Sequence, residues 1–441
     1  MIFVYKLAGY VLLILLLPFL FLLWLFSQKR RANLLARFGL KPGTKPTVSG
    51  QKRIWVHALS VGEVVSSVPF IKALKEKAPL TDIIFTASTK TGFDMAGHLF
   101  LNSDSSRNSE NVWISQLEYF PFDLGFCIEK VRSRIAPDAV VIVETDLWPN
   151  FLYEMKKNNI PVILINARLS DRSLKGYQFF RSFSSLMFSS LAAIMAQSHR
   201  DKKRFECLGI EKEKIQVTGN IKFDQAAAER DSSDVQSIRD RLFLAPESKI
   251  WIAGSTHEGE ERILLSVFKK IRKKCVGLIM IIAPRDIGRV KDIESCCRSF
   301  NMSSIRMTGL YDPSEFENPP DILIVDKMGE LANLYAVCDI AFIGGSLVQQ
   351  GGHNPLEAAA VSKPVLFGPD MSDFVDISHL LMEQGGAQQV AGEEDLADAL
   401  EHLLSDDSER KRMGDQNFRI FCEHSGAVQK IVKHMETLGF V

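Results

Sequence analysis

Charged residues recur at one kind of place in this sequence, just after a short apolar run. The run ending Trp55-Val56-His57-Ala58 leads into Leu59-Ser60-Val61-Gly62-Glu63. Glu63 there suits two roles. It can complement the positive end of a helix dipole, or act as a general base that takes a proton from an acceptor hydroxyl. After Val143 stand Glu144 and Asp146, spaced like a metal-binding Asp-x-Asp pair. Trp148-Pro149 follows at once and no third ligand accompanies them, so an electrostatic role for Glu144 fits better than a metal. Lys222, in Gly219-Asn220-Ile221-Lys222, is either a solvated linker charge or a cation that neutralises a departing phosphate.

The second half repeats the theme. Pro284-Arg285 ends another apolar run, where an arginine can grip phosphate or carboxylate bidentately or simply face solvent. In Ser255-Thr256-His257-Glu258-Gly259-Glu260, Ser255 and Glu258 fit a capping box, and the His-Glu pair lacks the second histidine of a zinc-protease motif. The segment Gly344–Glu357 predicts a helix start with Asn354 as N-cap, Pro355 as first helical residue and Glu357 as first-turn acid. Two Gly-Gly pairs before it would let backbone amides approach an anion closely. No Walker lysine and no Gly-x-Gly-x-x-Gly accompanies them, which counts against ATPase and dinucleotide-binding functions.

These residues need scaffolding, and the apolar runs supply it. Ile54–Ala58, Asp82–Thr86, Ala139–Glu144, Pro161–Asn166, Ala193–Gln197 and Ile215–Thr218 predict strands covered on both faces. A second series lies at Lys249–Ala253, Gly277–Ala283, Asp321–Val325, Ile340–Gly344 and Pro364–Phe367. With helical stretches between them, the expectation is an α/β chain of two Rossmann-like domains facing an interdomain cleft. The predicted boundaries are 49–226 and 237–441, the latter with C-terminal helices, joined by a polar linker at 227–236. Asn102–Asn111 reads as an exposed loop.

The N-terminus differs. From Leu7 to Phe26 there is no charge, and twenty residues at about 1.5 Å each match a hydrocarbon core of roughly 30 Å. Residues 1–30 therefore read as a single-pass membrane anchor, and 31–48 as a basic interfacial segment. Lys29, Arg30 and Arg31 place the remainder of the chain on the cytoplasmic side. Lys+Arg and Asp+Glu each number 53, so no basic field points to nucleic acid. The seven cysteines lack C-x-x-C pairs and zinc spacing, as reduced cytosolic thiols would.

Taken in order, WVHALSVGE, VETDLWPN, NARLSDRS, VTGNIKFD, GSTHEGEE, the Pro-Arg pair, GGSLV, GGHNPLE and KPVLFGP resemble the 3-deoxy-D-manno-octulosonic acid (Kdo) transferases of lipopolysaccharide biosynthesis. The likeness runs from the apolar N-terminus to near the end. It implies a GT-B glycosyltransferase that transfers Kdo, without metal or cofactor and with inversion, from CMP-Kdo to a lipid A precursor (lipid IVA). It further implies that Glu63 is the base and that Glu144 and Lys222 stabilise the transition state. Pro284, Arg285, Met328, Gly329, Glu330, Gly345, Ser346, Asn354, Pro355, Leu356 and Glu357 would hold CMP-Kdo in the second domain, with the lipid on the first. Asp286, Gln349, Ala358 and Asp370 depart from the family's usual residues, all on the donor side. Three rivals remain: a GT-B enzyme using another nucleotide sugar on a lipid, a catalytically silent binding scaffold, and a soluble nucleotide-sugar epimerase.

Overall fold

The computed structural model describes residues 2–26, 28–40, 51–101, 112–228, 235–310 and 320–441, without the side chains of 19–32. The expected loop 102–111, residues 41–48 of the interfacial segment and 229–234 of the linker lie outside these. The chain forms two compact units, Met1–Gln225 with Ser425–Val441, and Ala226–His424.

The first unit holds seven strands: β1 (Arg53–Ala58), β2 (Asp82–Ala87), β3 (Gln116–Tyr119), β4 (Ala139–Val143), β5 (Val162–Ala167), β6 (Leu191–Ala196) and β7 (Ile215–Val217). All pair in parallel in the order β3-β2-β1-β4-β5-β6-β7. Alternate residues of the same runs feed two cores. Ile54, Val56, Val141 and Val143 enter one, while Trp55, Val140 and Ile142 enter the other. That is why these strands read as unbroken apolar runs rather than alternating ones.

The second unit repeats the plan with β8 (Ile250–Thr256), β9 (Ile279–Pro284), β10 (Ser304–Arg306), β11 (Ile322–Ile324), β12 (Ile340–Ile343), β13 (Val365–Phe367) and β14 (Ala387–Gln389). Their order is β10-β11-β9-β8-β12-β13-β14, again parallel. Each sheet reverses its winding direction once, between β1 and β4 and between β8 and β12. Open α/β sheets bind ligands beyond the strand ends at such switch points. Strands β3, β10 and β14 carry no predictive apolar run. All three lie at sheet edges, where one side needs no apolar partner.

One expectation is corrected. Residues 425–441 belong to the first unit, not to the second domain. The helix Ala427–Thr437 places Val428, Ile431, Val432 and Met435 on one face, and that stripe completes the core of β1, β2, β4 and β5. The Asp224 carboxylate accepts hydrogen bonds from the Gly426 and Val428 N–H groups (2.7 and 2.8 Å), fixing the helix start.

The membrane span expected from the sequence lies partly in residues whose side chains are not described. Among the described residues no helix is long and apolar enough to cross a membrane. The N-terminal helix Ile2–Phe26 begins on the first unit itself. The Tyr5 hydroxyl donates to Asp123 (3.0 Å), Lys6 pairs with Glu154 (2.9 Å), and Tyr10 stacks on Phe126.

Because Ile431 is fully buried in the first unit's core, Ile431→Ala should cost about 2–5 kcal/mol of that unit's stability. Urea unfolding followed by hydrogen exchange should show the loss in residues 51–225 and leave the second unit's exchange unchanged.

Candidate functional site

In the first unit, Glu63 and Glu144 follow β1 and β4, the two strands that flank the switch point. Ser60 caps the short helix Val61–Ser66, and its hydroxyl donates to Glu63 Oε1 (3.3 Å). The Leu59 N–H donates to Glu63 Oε2 (2.6 Å). Glu63 thus reaches back over the helix start as a capping-box acid does, and the dipole and base roles share one side chain. Burial pushes its carboxyl up to about 7. The Leu59 N–H opposes that rise, and the charges of Glu144 and Asp146 add to it. A carboxyl poised near neutrality in a strand-end loop is suited to accept a proton in catalysis.

Glu144 sits in the left-handed backbone region (φ 62°), held by its N–H donating to the Ile165 carbonyl (2.9 Å). A non-glycine residue costs roughly 1–3 kcal/mol there, a strain that clusters at functional sites. Asp146, the other half of the suspected metal pair, is engaged by protein groups. Its Oδ2 lies 3.1 Å from His57 Nε2 and accepts from the Trp148 indole N–H (3.0 Å). His57 is fully buried in β1, stacked on Phe120, with Nδ1 against Thr86. Lys222 lies in the first turn of the helix Ile221–Ala228. That turn is tied to the end of β5, since Asn166 Oδ1 accepts from the Ile221 N–H (3.1 Å).

In the second unit the Gly-rich loop after β12 has already found an anion, and it comes from the chain itself. The fully buried Glu260 carboxylate accepts from the N–H groups of Gly345 (2.7 Å), Ser346 (3.0 Å), Leu347 (3.0 Å) and His257 (2.9 Å). Burial raises its carboxyl in spite of those donors. The amides of Gly345 and Ser346, expected to face the donor, therefore shape the loop instead. The expected Ser255–Glu258 capping box does not form. The helix Glu260–Arg272 starts four residues later than a Ser255 cap would set it, behind Gly259, and Glu260 does the reaching back. Ser255 takes a left-handed backbone (φ 56°) at the end of β8.

Pro284 closes β9, and Arg285 follows it exposed, its N–H on the Thr256 carbonyl (3.0 Å). Met328 is exposed, Gly329 takes φ 83°, and Glu330 pairs with Arg241 and Lys327 (3.0 Å each). Burial works to raise the Glu330 carboxyl, but those two cations outweigh it and hold it below its ordinary value. Asn354 Oδ1 accepts from the Leu356 N–H (3.1 Å) and the Pro355 carbonyl from the Ala359 N–H (3.1 Å), so Asn354 supplies a capping bond, while Pro355 rather than Asn354 takes the N-cap position. The helix it starts, Leu356–Ala359, is a single turn carrying Glu357. A hollow of about 520 Å³ lies alongside, lined by Ser346, Leu347, Val348, Gln349, Pro369 and Asp370. Two of its lining residues, Gln349 and Asp370, are departures from the family pattern.

Sequence reasoning missed His57, Glu260 and the pairing of His257 with His353. Only Glu260 had a local signal, as an acid in a helix's first turn. The others depend on partners 89 and 96 residues away.

A family model described as 3-deoxy-D-manno-octulosonic-acid transferase (kdotransferase) matches residues 32–225. Over 420 residues the chain is 34% identical to the 3-deoxy-D-manno-octulosonic acid transferase of Haemophilus influenzae, covering 95% of this chain and 94% of that one. The protein of the same description from Chlamydia pneumoniae is 30% identical over 397 residues, covering 90% and 86%. Among solved structures, the UDP-GlcNAc 2-epimerase from Neisseria meningitidis bound to UDP-GlcNAc matches with a TM-score of 0.57 at 16% identity, covering 88% of this chain and all of that one. That last likeness extends to the fold alone.

The burial of Glu63 is testable through stability. A carboxyl raised in the folded state costs stability once it ionises. The penalty is absent below its unfolded value near 4.3 and complete above about 7. Glu63→Gln should therefore stabilise the first unit by on the order of 3 kcal/mol at pH 8. The gain should vanish at pH 4.5, as read by thermal melts at both values.

Proposed function

The chain belongs to the Kdo transferase family, and from that premise we propose that it moves Kdo from CMP-Kdo to the sugar hydroxyl of a lipid A precursor in lipopolysaccharide biosynthesis. The observation that carries this reading is the buried Glu63 carboxyl, raised to about 7 beside Glu144 and Asp146. As the acceptor hydroxyl attacks the anomeric carbon of Kdo, its proton passes to Glu63. The bond from that carbon to the CMP phosphate breaks on the opposite face, which inverts the centre. Glu144 offers negative charge to the oxocarbenium-like transition state, while Lys222 offsets charge on the departing phosphate. Glu330, Asn354 and Glu357 complete the nucleotide side. Exposed Arg285 and Met328 and the N-capped turn at Leu356 suit that role better than the amides of Gly345 and Ser346, which Glu260 occupies.

We also assign membrane contact to the first unit, at the cytoplasmic face of the inner membrane. The N-terminal helix has Lys6 as its only charge and leaves Phe3, Leu7, Ile14 and Leu15 exposed. Beside it, Tyr5 packs on Phe183 (centroids 5.6 Å apart). The preceding Phe179 and Phe180 stand 82% and 60% exposed at the junction of the helices Asp171–Phe179 and Arg181–Phe188. Exposed apolar side chains of this kind suit an interaction site, and a lipid acceptor supplies the reason for them.

Two measurements test the reading. Detergent-solubilised protein given CMP-Kdo and tetraacylated lipid A precursor should add the mass of Kdo to the lipid, and a folded preparation that adds none refutes it. The rate should climb as pH rises through about 7, as Glu63 becomes the free base, and Glu63→Gln should lower it roughly 10²–10⁴-fold. In vesicle flotation with anionic lipid, the double change Phe179→Ser and Phe180→Ser should weaken binding several-fold without altering secondary structure.

A further inference from the structure

We propose that the hollow beside the Gly-rich loop of the second unit is the subsite for the donor's sugar, where the Asp370 carboxylate and the Gln349 amide hydrogen-bond its hydroxyl groups. The proposal rests on the reading that this unit takes CMP-Kdo. It assigns sugar specificity to two side chains outside the predicted donor-binding set.

The hollow lies where two neighbouring strands end. Ser346, Leu347, Val348 and Gln349 come from the loop after β12, and Pro369 and Asp370 from the loop after β13. Since β12 is one of the two strands at the switch point, the hollow stands where a parallel sheet receives ligands. Its volume of about 520 Å³ falls within the roughly 300–1,000 Å³ of small-ligand sites. Its walls are braced by the protein itself. The Asp370 N–H donates to the Ser346 carbonyl (2.9 Å) and the Gly368 N–H to the Ser346 hydroxyl (2.7 Å). Only a glycine allows that approach, because a Cβ on Gly368 would come within 2.3 Å of the Ser346 carbonyl oxygen. Glu260 holds the Ser346 and Leu347 amides in place (3.0 Å each).

The lining dictates the kind of ligand. Leu347, Val348 and Pro369 offer apolar surface, and the Ser346 hydroxyl is spent on the Ile343 carbonyl and the Gly368 N–H. Two polar side chains remain. Asp370 accepts from the Gly351 N–H on Oδ2 (2.7 Å) and from the Ser372 N–H on Oδ1 (3.2 Å). The Gly351 N–H, then Ser372, hold its carboxyl below its ordinary value, so it is ionised at neutral pH. A carboxylate has about four acceptor positions, so two backbone donors leave about half of them for a ligand. Glu260, with four such donors, has none to spare. Gln349 is exposed, and its amide can both donate and accept. The lining contains no cation, and Asp370 repels a phosphate or a sugar carboxylate. Neutral hydroxyls suit it instead, with sugar C–H edges against Leu347, Val348 and Pro369. Kdo carries its carboxylate at one end and hydroxyls along the rest of its chain. The hollow therefore takes the hydroxyl-bearing part and leaves the carboxylate and the CMP phosphate outside.

Steady-state kinetics of the full chain in detergent test this, with tetraacylated lipid A precursor as acceptor. The KM for CMP-Kdo reads sugar and nucleotide together, and the competitive inhibition constant of CMP reads the nucleotide alone. Gln349→Ala removes an exposed amide, and Asp370→Asn removes the charge while keeping an oxygen for the Gly351 N–H. Each change should raise KM for CMP-Kdo several-fold, and both together about tenfold or more, while the CMP constant stays within about twofold. Folded variants that leave KM unchanged overturn the inference, and so do variants that raise both constants equally. In either case turnover of CMP-Kdo by wild type leaves the donor reading intact. Should Asp370→Asn fail to fold, Gln349→Ala alone decides by the same comparison. A folded wild type that does not turn over CMP-Kdo overturns both the donor reading and this inference.

Discussion

A parallel sheet buried on both faces has nowhere along its strands to keep water-facing chemistry. Polar function is confined to the loops beyond the strand ends, and the winding of the sheet decides which loops have room. In this protein both sheets reverse direction once, and the charged residues gather beside that reversal. Glu63 and Glu144 follow the two strands at the first switch point, and His257 and His353 follow the two at the second. Arg285 leaves the neighbouring strand. The bulk of both units, with Phe, Ile and Val packed in two layers, serves to fix where those few loops stand.

Glu63 and Glu260 show how finely the loops discriminate. Each is a buried carboxylate at the start of a helix, and burial alone would raise both. Glu260 is surrounded by four backbone N–H donors and has a structural role, setting the course of the loop that carries His353. Glu63 receives one backbone N–H and faces two other carboxylates, so its proton is held near neutral pH and can be exchanged. The number and sign of the neighbouring groups set the two carboxylates apart.

The N-terminal helix obeys a different constraint. Lys6 and Tyr5 direct their polar groups to Glu154 and Asp123, which binds the N-terminal helix to the unit carrying Glu63. The helix is thereby an extension of that unit rather than a tether on a flexible lead. The helix leaves Phe3, Leu7, Ile14 and Leu15 exposed, and Phe179 and Phe180 are exposed on the same unit.

Much of this was legible from sequence because it is local. Apolar runs of four to seven residues announce doubly covered strands, and eleven of the fourteen strands carry one. Glu63, Glu144 and Arg285 could be singled out by standing directly after such runs, and the order of the motifs was enough to suggest the family. Edge strands such as Gln116–Tyr119 escaped because one open side needs no apolar residue. What tertiary structure alone decided depends on residues far apart in the chain. It returned 425–441 to the first core, since an amphipathic stripe does not say which sheet it will cover. It gave the amides of the glycine-rich loop to Glu260 rather than to a ligand. It joined His257 to His353, since a hydrogen bond across 96 positions leaves no periodic trace in sequence.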